Sequence, residues 1–158
     1  PDLTLWENVI LTARQTRGIL KNEYLISGTA AKAFAQEVIQ TFDVRTTSVN
    51  AKASSLSGGN LQKFLIGREL LGQPRVLIVS NPTWGVDAKA QLFIHQMLMD
   101  IADQGASIVL LSQDIDELLS VTDRICAICH GRLSRTFATE DMTPEHLGAL
   151  MLGQEIEA

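Results

Sequence analysis

The stretch Leu56-Ser57-Gly58-Gly59-Asn60-Leu61-Gln62-Lys63 decides how the rest of this chain is read. A serine and two glycines stand directly before an apolar-periodic run. Ser57 is a favourable N-cap residue, and the glycines leave the backbone open to close approach. Leu61, Phe64, Leu65 and Leu71 recur at roughly helical spacing, which predicts a helix from Ser57 to about Leu71, stopped before Gly72 and Pro74. A helix N-terminus offers free N–H groups and the positive end of a dipole, a combination that suits a phosphate. An ordinary Ser/Gly cap has the same residues, so the neighbouring sequence has to separate the two readings.

The chain has 158 residues, enough for one domain or for a piece of a larger protein, and it begins at Pro1 without a methionine. It is 46% hydrophobic and 20% charged, the balance of a soluble globular protein. A net charge of −5 gives no basic surface for nucleic acid or an anionic membrane. No apolar run reaches the roughly 18 residues of a membrane helix, and no signal-like segment opens the chain. Two cysteines, Cys126 and Cys129, are too few for a disulfide framework, so a cytosolic location is expected.

Upstream of the opening stretch the pattern is helical. Residues 3–14 read as a helix capped by Asp2 or Thr4, residues 12–22 as a polar loop, and residues 29–42 as an Ala-rich helix with Phe34, Val38, Ile39 and Phe42 on one side. Residues 44–55 form a Ser/Thr-rich connection. Downstream, Val76-Leu77-Ile78-Val79 is an unbroken apolar run, expected to be a strand covered on both faces as in a parallel sheet. A helix over 87–103 should bury Leu92, Phe93, Met97 and Ile101. Further strands are expected at 107–111, 124–129 and 132–136, with helices at 114–121 and 144–152. The alternation predicts right-handed crossovers in a parallel sheet with helices outside.

Two landmarks now stand in order: Leu56-Ser57-Gly58-Gly59-Asn60 opening a helix, then a strand ending Ser80-Asn81-Pro82-Thr83-Trp84-Gly85-Val86-Asp87. Together they resemble the ATP-binding-cassette (ABC) ATPases, whose signature loop reads L-S-G-G-Q or L-S-G-G-N and whose Walker B strand ends D-E-P-T before G-L-D. Val109-Leu110-Leu111-Ser112-Gln113-Asp114 resembles the family's switch strand. Thr122-Asp123-Arg124-Ile125 and His130-Gly131-Arg132-Leu133 resemble its closing segments. The resemblance covers nearly the whole chain in the right order, and the motifs are specific as a set although each alone is weak. It implies an α/β fold: a partial P-loop NTPase core with parallel strands over 74–158, preceded by an α-helical signature subdomain over 1–73. Arg45-Thr46-x-Ser48 and the Asn60 variant resemble tandem-cassette subunits of bacterial sugar and nucleoside importers, in particular their second, degenerate cassettes. Leu92-Phe93-Ile94-His95 leans towards the nucleoside branch. Leu3-Thr4-Leu5-Trp6-Glu7-Asn8-Val9 is similar to the segment after the Q-loop, where such cassettes touch the membrane subunit.

The departures from the family pattern shape the functional expectation. No G-x-x-x-x-G-K-[ST] phosphate loop occurs, which fits the C-terminal portion of a cassette. Ser80 stands where the family carries the carboxylate that organises Mg²⁺. Asn81 replaces the glutamate that polarises the attacking water, and Gln113 replaces the switch histidine. Neither Ser80 nor Asn81 carries charge, so metal organisation and water activation are both weakened, and Gln113 cannot titrate. No catalytic residue is therefore expected in this cassette. The resemblance implies instead that Ser57, Gly58, Gly59 and Asn60 serve ATP bound by a partner cassette, with Asp87 as the D-loop residue. ATP and Mg²⁺ would belong to the composite site of the full-length protein; these 158 residues by themselves are expected to hold neither and to be inactive. Its partners would be the first cassette and an inner-membrane permease, with no nucleic acid.

Other patterns have plainer readings. Cys126-Ala127-Ile128-Cys129-His130 matches C-x-x-C-H, a haem-attachment pattern. On a buried strand residues three apart face opposite sides, so two small buried residues are expected there rather than haem or zinc. Asp114, Asp116 and Glu117 suit a helix start better than a metal. Trp84 is expected to pack, and His95 and His146 to sit on helix surfaces. Asp87 doubles as a candidate N-cap. A soluble ABC ATPase of translation or DNA repair fits less well, since no basic patch is present.

Overall fold

The computed structural model describes residues 2–13, 18–22 and 24–154. They fall into two compact units, Pro1–Leu77 with Pro82–Ile108, and Ile78–Asn81 with Val109–Ala158.

The first unit begins with helix α1, Leu5–Ala13. Of the two expected caps Thr4 serves. Its N–H and hydroxyl donate to Glu7 Oε2 at 2.7 and 2.6 Å, while the Glu7 N–H returns to Thr4 Oγ1. This reciprocal arrangement is a capping box. Arg14, expected in this helix, lies outside the described residues. The chain then forms a short antiparallel hairpin, β1 (Leu20–Lys21) and β2 (Leu25–Ile26), so the first third is not wholly helical as expected. Helix α2, Gly28–Thr41, is capped by Ser27 and buries Ala31, Phe34, Ala35 and Val38. Phe42 is buried just beyond it. The connection that follows pins the start of α1: Leu5 N–H donates to Ala51 and Trp6 N–H to Val49.

Helix α3, Gly58–Leu70, buries Phe64, Ile66, Gly67 and Leu70. Leu61, Leu65 and Leu71, expected on its apolar side, are only half-buried. Arg68 donates from Nη1 to the Asn8 carbonyl and from Nε to Glu69, and Thr12 donates to Glu69, so α3 is tied to α1 by polar as well as apolar contacts. Gly67 allows the closest approach, since a Cβ there would lie 2.5 Å from the Phe42 ring. Strand β3, Val76–Ser80, is followed by helix α4, Ala88–Asp103, and strand β4, Ser107–Leu111. Ser107 N–H donates to Arg75, and Asn81 N–H to Leu111, so the two strands run parallel.

Two expectations fail in this region. Neither strand is covered on both faces: Val76 and Ile78 are 64% and 69% exposed, and Val109 and Leu111 are also exposed. Alternate residues thus face solvent, as the period-two geometry of a half-covered strand requires. Of the side expected to be buried in helix α4, Ile101 is buried, Phe93 and Met97 are half-buried and Leu92 is 71% exposed, while Ala90, Ile94 and Leu98 are buried as well. Small Ala90 faces inward where the bulkier Leu92 does not.

The second unit continues through helix α5, Ile115–Val121, and four two-residue strands: β5 (Arg124–Ile125), β6 (Ile128–Cys129), β7 (Arg132–Leu133) and β8 (Phe137–Ala138). β5 pairs antiparallel with β8, and β6 with β7, instead of adding a continuous third strand to the parallel pair. Residues 126–127 separate β5 from β6, and Cys126 is exposed while Cys129 is half-buried, which corrects the expected buried pair. Helix α6, Pro144–Met151, is capped by Thr143. Ile125, Ala127, Met142, Leu147 and Leu150 form the core of this unit. Among the described residues no helix is long and apolar enough to cross a membrane.

Candidate functional site

The loop before α3 has an unusual hydrogen-bond arrangement. Ser57 occupies the N-cap position with extended backbone, yet its side chain caps no helix N–H. Its Oγ instead accepts from Asn60 Nδ2 at 2.9 Å. Asn60 Oδ1 in turn accepts from the backbone N–H of Arg45 at 2.8 Å. The first bond of the helical ladder is Leu61 N–H to the Ser57 carbonyl, so the N–H groups of Gly58, Gly59 and Asn60 precede it. Ser57 and Gly58 are exposed, while Gly59 and Asn60 are half-buried. A Cβ at Gly58 would meet nothing within 4 Å, which leaves the loop tip open. The result is an accessible hydroxyl beside free N–H groups at the positive end of a helix, chemistry suited to an anion.

The turn over 82–87 packs beside this loop in the same unit. A Cβ built on Gly59 would lie 3.9 Å from Val86 Cα and 4.0 Å from Gly85 O. Gln62 Nε2 donates to the Pro82 carbonyl at 3.0 Å. Gly85 has φ +73°, a left-handed conformation that glycine adopts without strain. Asp87 caps α4, its Oδ1 accepting from Ala90 N–H at 2.9 Å. That bond holds the carboxyl below its usual range; desolvation is the next effect and opposes it, and Lys63 and Lys89 add weaker lowering. The structure thus brings Ser57, Gly58, Gly59, Asn60 and Asp87 into one unit. It also corrects the reading of Trp84, which is 85% exposed and does not pack into a core. Sequence reasoning missed Arg45 and Gln62 as supports of the loop. Their roles depend on where distant backbone returns, and nothing in their spacing signals that.

Ser80, Asn81 and Gln113 lie in the other unit. Asn81 has φ +46°, and its Nδ2 approaches Ser80 Oγ at 3.4 Å. Gln113 is exposed. A hydroxyl and two amides can donate and accept hydrogen bonds, but they bring no negative charge to a metal ion. Ser112 Oγ accepts from Asp114 N–H, and Asp114 caps α5 through Glu117 N–H. Glu117 is buried within α5. Among the described residues no group of three or more His, Cys, Asp or Glu side chains is gathered as a metal site. His146 is exposed as expected, whereas His95 is half-buried.

No family model matches the chain. Individual relatives do. The chain is 37% identical over 98% of its length to the nucleoside import ATP-binding protein NupA of Lactococcus lactis, covering 30% of that protein. It is 33% identical over 96% of its length to the xylose import ATP-binding protein XylG of Moorella thermoacetica, covering 29% of it. The chain therefore spans about a third of the length of these curated relatives. Among solved structures, a dimeric ATP-binding cassette in a post-hydrolysis state with ADP and Pi superimposes with a TM-score of 0.71 at 28% identity, over 88% of this chain and 58% of that one. The chain has the fold of part of an ABC ATPase cassette, and its relatives are ATP-binding proteins of sugar and nucleoside import.

Proposed function

We propose that this chain is the C-terminal part of the second, degenerate cassette of a tandem importer ATPase for sugars or nucleosides. Its work there is to supply a signature loop to ATP bound by a partner cassette. The observation that carries this reading is the contrast between two places in the chain. The α3 N-terminus presents an uncapped Ser57 hydroxyl and the N–H groups of Gly58 and Gly59, which fit a phosphate. The end of β3 presents Ser80 and Asn81, which do not fit a metal ion. One half of an ATP site is equipped and the other is not, so the equipped half serves a site completed elsewhere. In this reading residues 1–73 form the signature subdomain and residues 74–158 the C-terminal half of the nucleotide-binding core. Asp87 takes the D-loop position, ATP and Mg²⁺ belong to the composite site, and the first cassette and a membrane permease are the partners. The whole protein would lie peripherally on the cytoplasmic face of the cell membrane.

The test is Ser57→Arg in the full-length subunit assembled with its permease. A guanidinium-bearing side chain at the exposed loop tip fills the space a phosphate would take. ATP hydrolysis should fall to background while the complex still assembles. Hydrolysis at the wild-type rate in an assembled complex would rule the reading out.

A further inference from the structure

The hydrogen bonds around Asn60 assign it a different role from its neighbours. A backbone N–H can only donate, so the Arg45 N–H fixes which end of the Asn60 amide faces it: the oxygen, at 2.8 Å. The amide nitrogen is thereby turned towards Ser57 Oγ, at 2.9 Å. An amide NH₂ can only donate, so the serine oxygen is the acceptor in this bond. A hydroxyl has one hydrogen and two lone pairs. With one lone pair engaged by Asn60, its hydrogen is left for a group outside the loop.

The same bond keeps Ser57 from an alternative use. A serine at an N-cap ordinarily accepts from the N–H two or three residues on, here Gly59 or Asn60. That would withdraw one of the N–H groups that precede the ladder. No such bond is made.

We infer that Asn60 is a positioning residue, which holds the Ser57 hydroxyl as an outward donor and keeps the first-turn N–H groups of α3 free for an anionic phosphate. Asn60 acts through Ser57 and not by touching the nucleotide. This rests on the signature-loop reading above and refines it, since that reading gives Asn60 no role of its own. Arg45 enters as the group that sets the amide's orientation, through its backbone alone.

The test is a double-mutant cycle on ATP hydrolysis in the full-length subunit assembled with its permease. Asn60→Asp keeps an oxygen for the Arg45 N–H but presents only an acceptor to Ser57, so the hydroxyl turns inward. Asn60→Ala removes both bonds and serves as the second variant. Ser57→Ala, Asn60→Asp and Asn60→Ala should each lower kcat on the order of tenfold, the scale of one hydrogen bond to a charged group, with KM for ATP little changed. Combining either Asn60 change with Ser57→Ala should cost nothing further, because the group through which Asn60 acts is already gone. If the losses multiply, Asn60 acts independently of Ser57 and the inference is overturned while the signature reading stands. If Ser57→Ala alone leaves kcat unchanged, the signature reading itself fails. A merely structural role for Asn60 would lower assembly or stability equally in both Ser57 backgrounds, and that outcome also overturns the inference.

Discussion

Gly67→Ala is the substitution whose cost the structure fixes most directly. The new methyl carbon would lie 2.5, 2.6 and 2.8 Å from Cδ2, Cγ and Cε2 of Phe42. Carbon atoms in contact prefer about 3.5–4.0 Å, so ring and helix must part by roughly 1 Å. The ring has little room to give: Phe42 is 2% exposed and meets Phe93 edge-on, with centroids 5.7 Å apart. Overpacking of this kind costs about 1–3 kcal/mol. Against it stands the gain of replacing a mid-helix glycine by alanine, about 1 kcal/mol. With three ring atoms inside contact distance the strain should prevail, for a net loss of about 1–2 kcal/mol. Gly148→Ala is the matched control, because its Cβ would meet nothing within 4 Å in α6. It should gain up to about 1 kcal/mol. Urea unfolding followed by far-ultraviolet circular dichroism would measure both, compared through midpoints at unchanged m-values. A Gly67→Ala variant as stable as wild type would refute the packing between α2 and α3 described above.

Other predictions follow from side-chain placement and charge. In α4, Ile94→Ala should cost about 2–5 kcal/mol, whereas Leu92→Ala, on the exposed side, should stay within about 0.5 kcal/mol; equal losses in urea unfolding would mean that the helix is rotated. Asp87 has its pKa lowered in the fold by the Ala90 N–H, so its contribution is present above the unfolded carboxylate pKa and is lost as pH falls through the lower folded value. Asn remains a good N-cap, so thermal melts of Asp87→Asn at neutral pH should match wild type closely, while its melting temperature should fall less on acidification below about pH 4. An unchanged acid limb would show that the cap charge contributes nothing at this exposed site.

The parts of the fold visible in the sequence were those set by local chemistry. Asp87 was expected to cap its helix and Asp114 to suit a helix start, and each accepts a cap bond, because that bond spans only three residues; Ser57, equally expected as a cap, makes none. That Ser80 and Asn81 bring no charge to the end of β3 was legible for the same reason, since residue identity alone carries that information. What failed depended on neighbours distant in sequence. The face of α4 was found only in part: Ile101 is buried as expected, but periodicity weights bulky Leu92, which is exposed, and passes over small Ala90, which is buried. The run Val76-Leu77-Ile78-Val79 looked doubly covered because every residue is apolar, yet pattern cannot say whether a covering layer is present. Around the α3 N-terminus, the loop residues were legible and the bonds that hold them were not. Arg45 lies 15 residues from Asn60, and Gln62 lies 20 from Pro82, and neither spacing carries a signal.

Those distant supports explain how a glycine-rich loop keeps a fixed geometry. Two adjacent glycines should leave the backbone mobile, but α3 is held along its length. Near its start, Gly59 lies against the turn at Gly85 and Val86, and Gln62 reaches Pro82. In its middle, Gly67 accepts the Phe42 ring at a distance no other residue would permit. Near its end, Arg68 and Glu69 bond to Asn8 and Thr12 of α1. The helix is therefore placed by its packing and its polar ties, and the loop is carried at its tip. Placement alone does not settle which way a hydroxyl points, since rotation about the serine side chain costs little. That last degree of freedom is governed by Asn60, one turn into the helix and anchored to Arg45. Position comes from the whole of α3 and donor direction from one amide. Disturbing Gly67 should therefore weaken the fold, and disturbing Asn60 should weaken the chemistry.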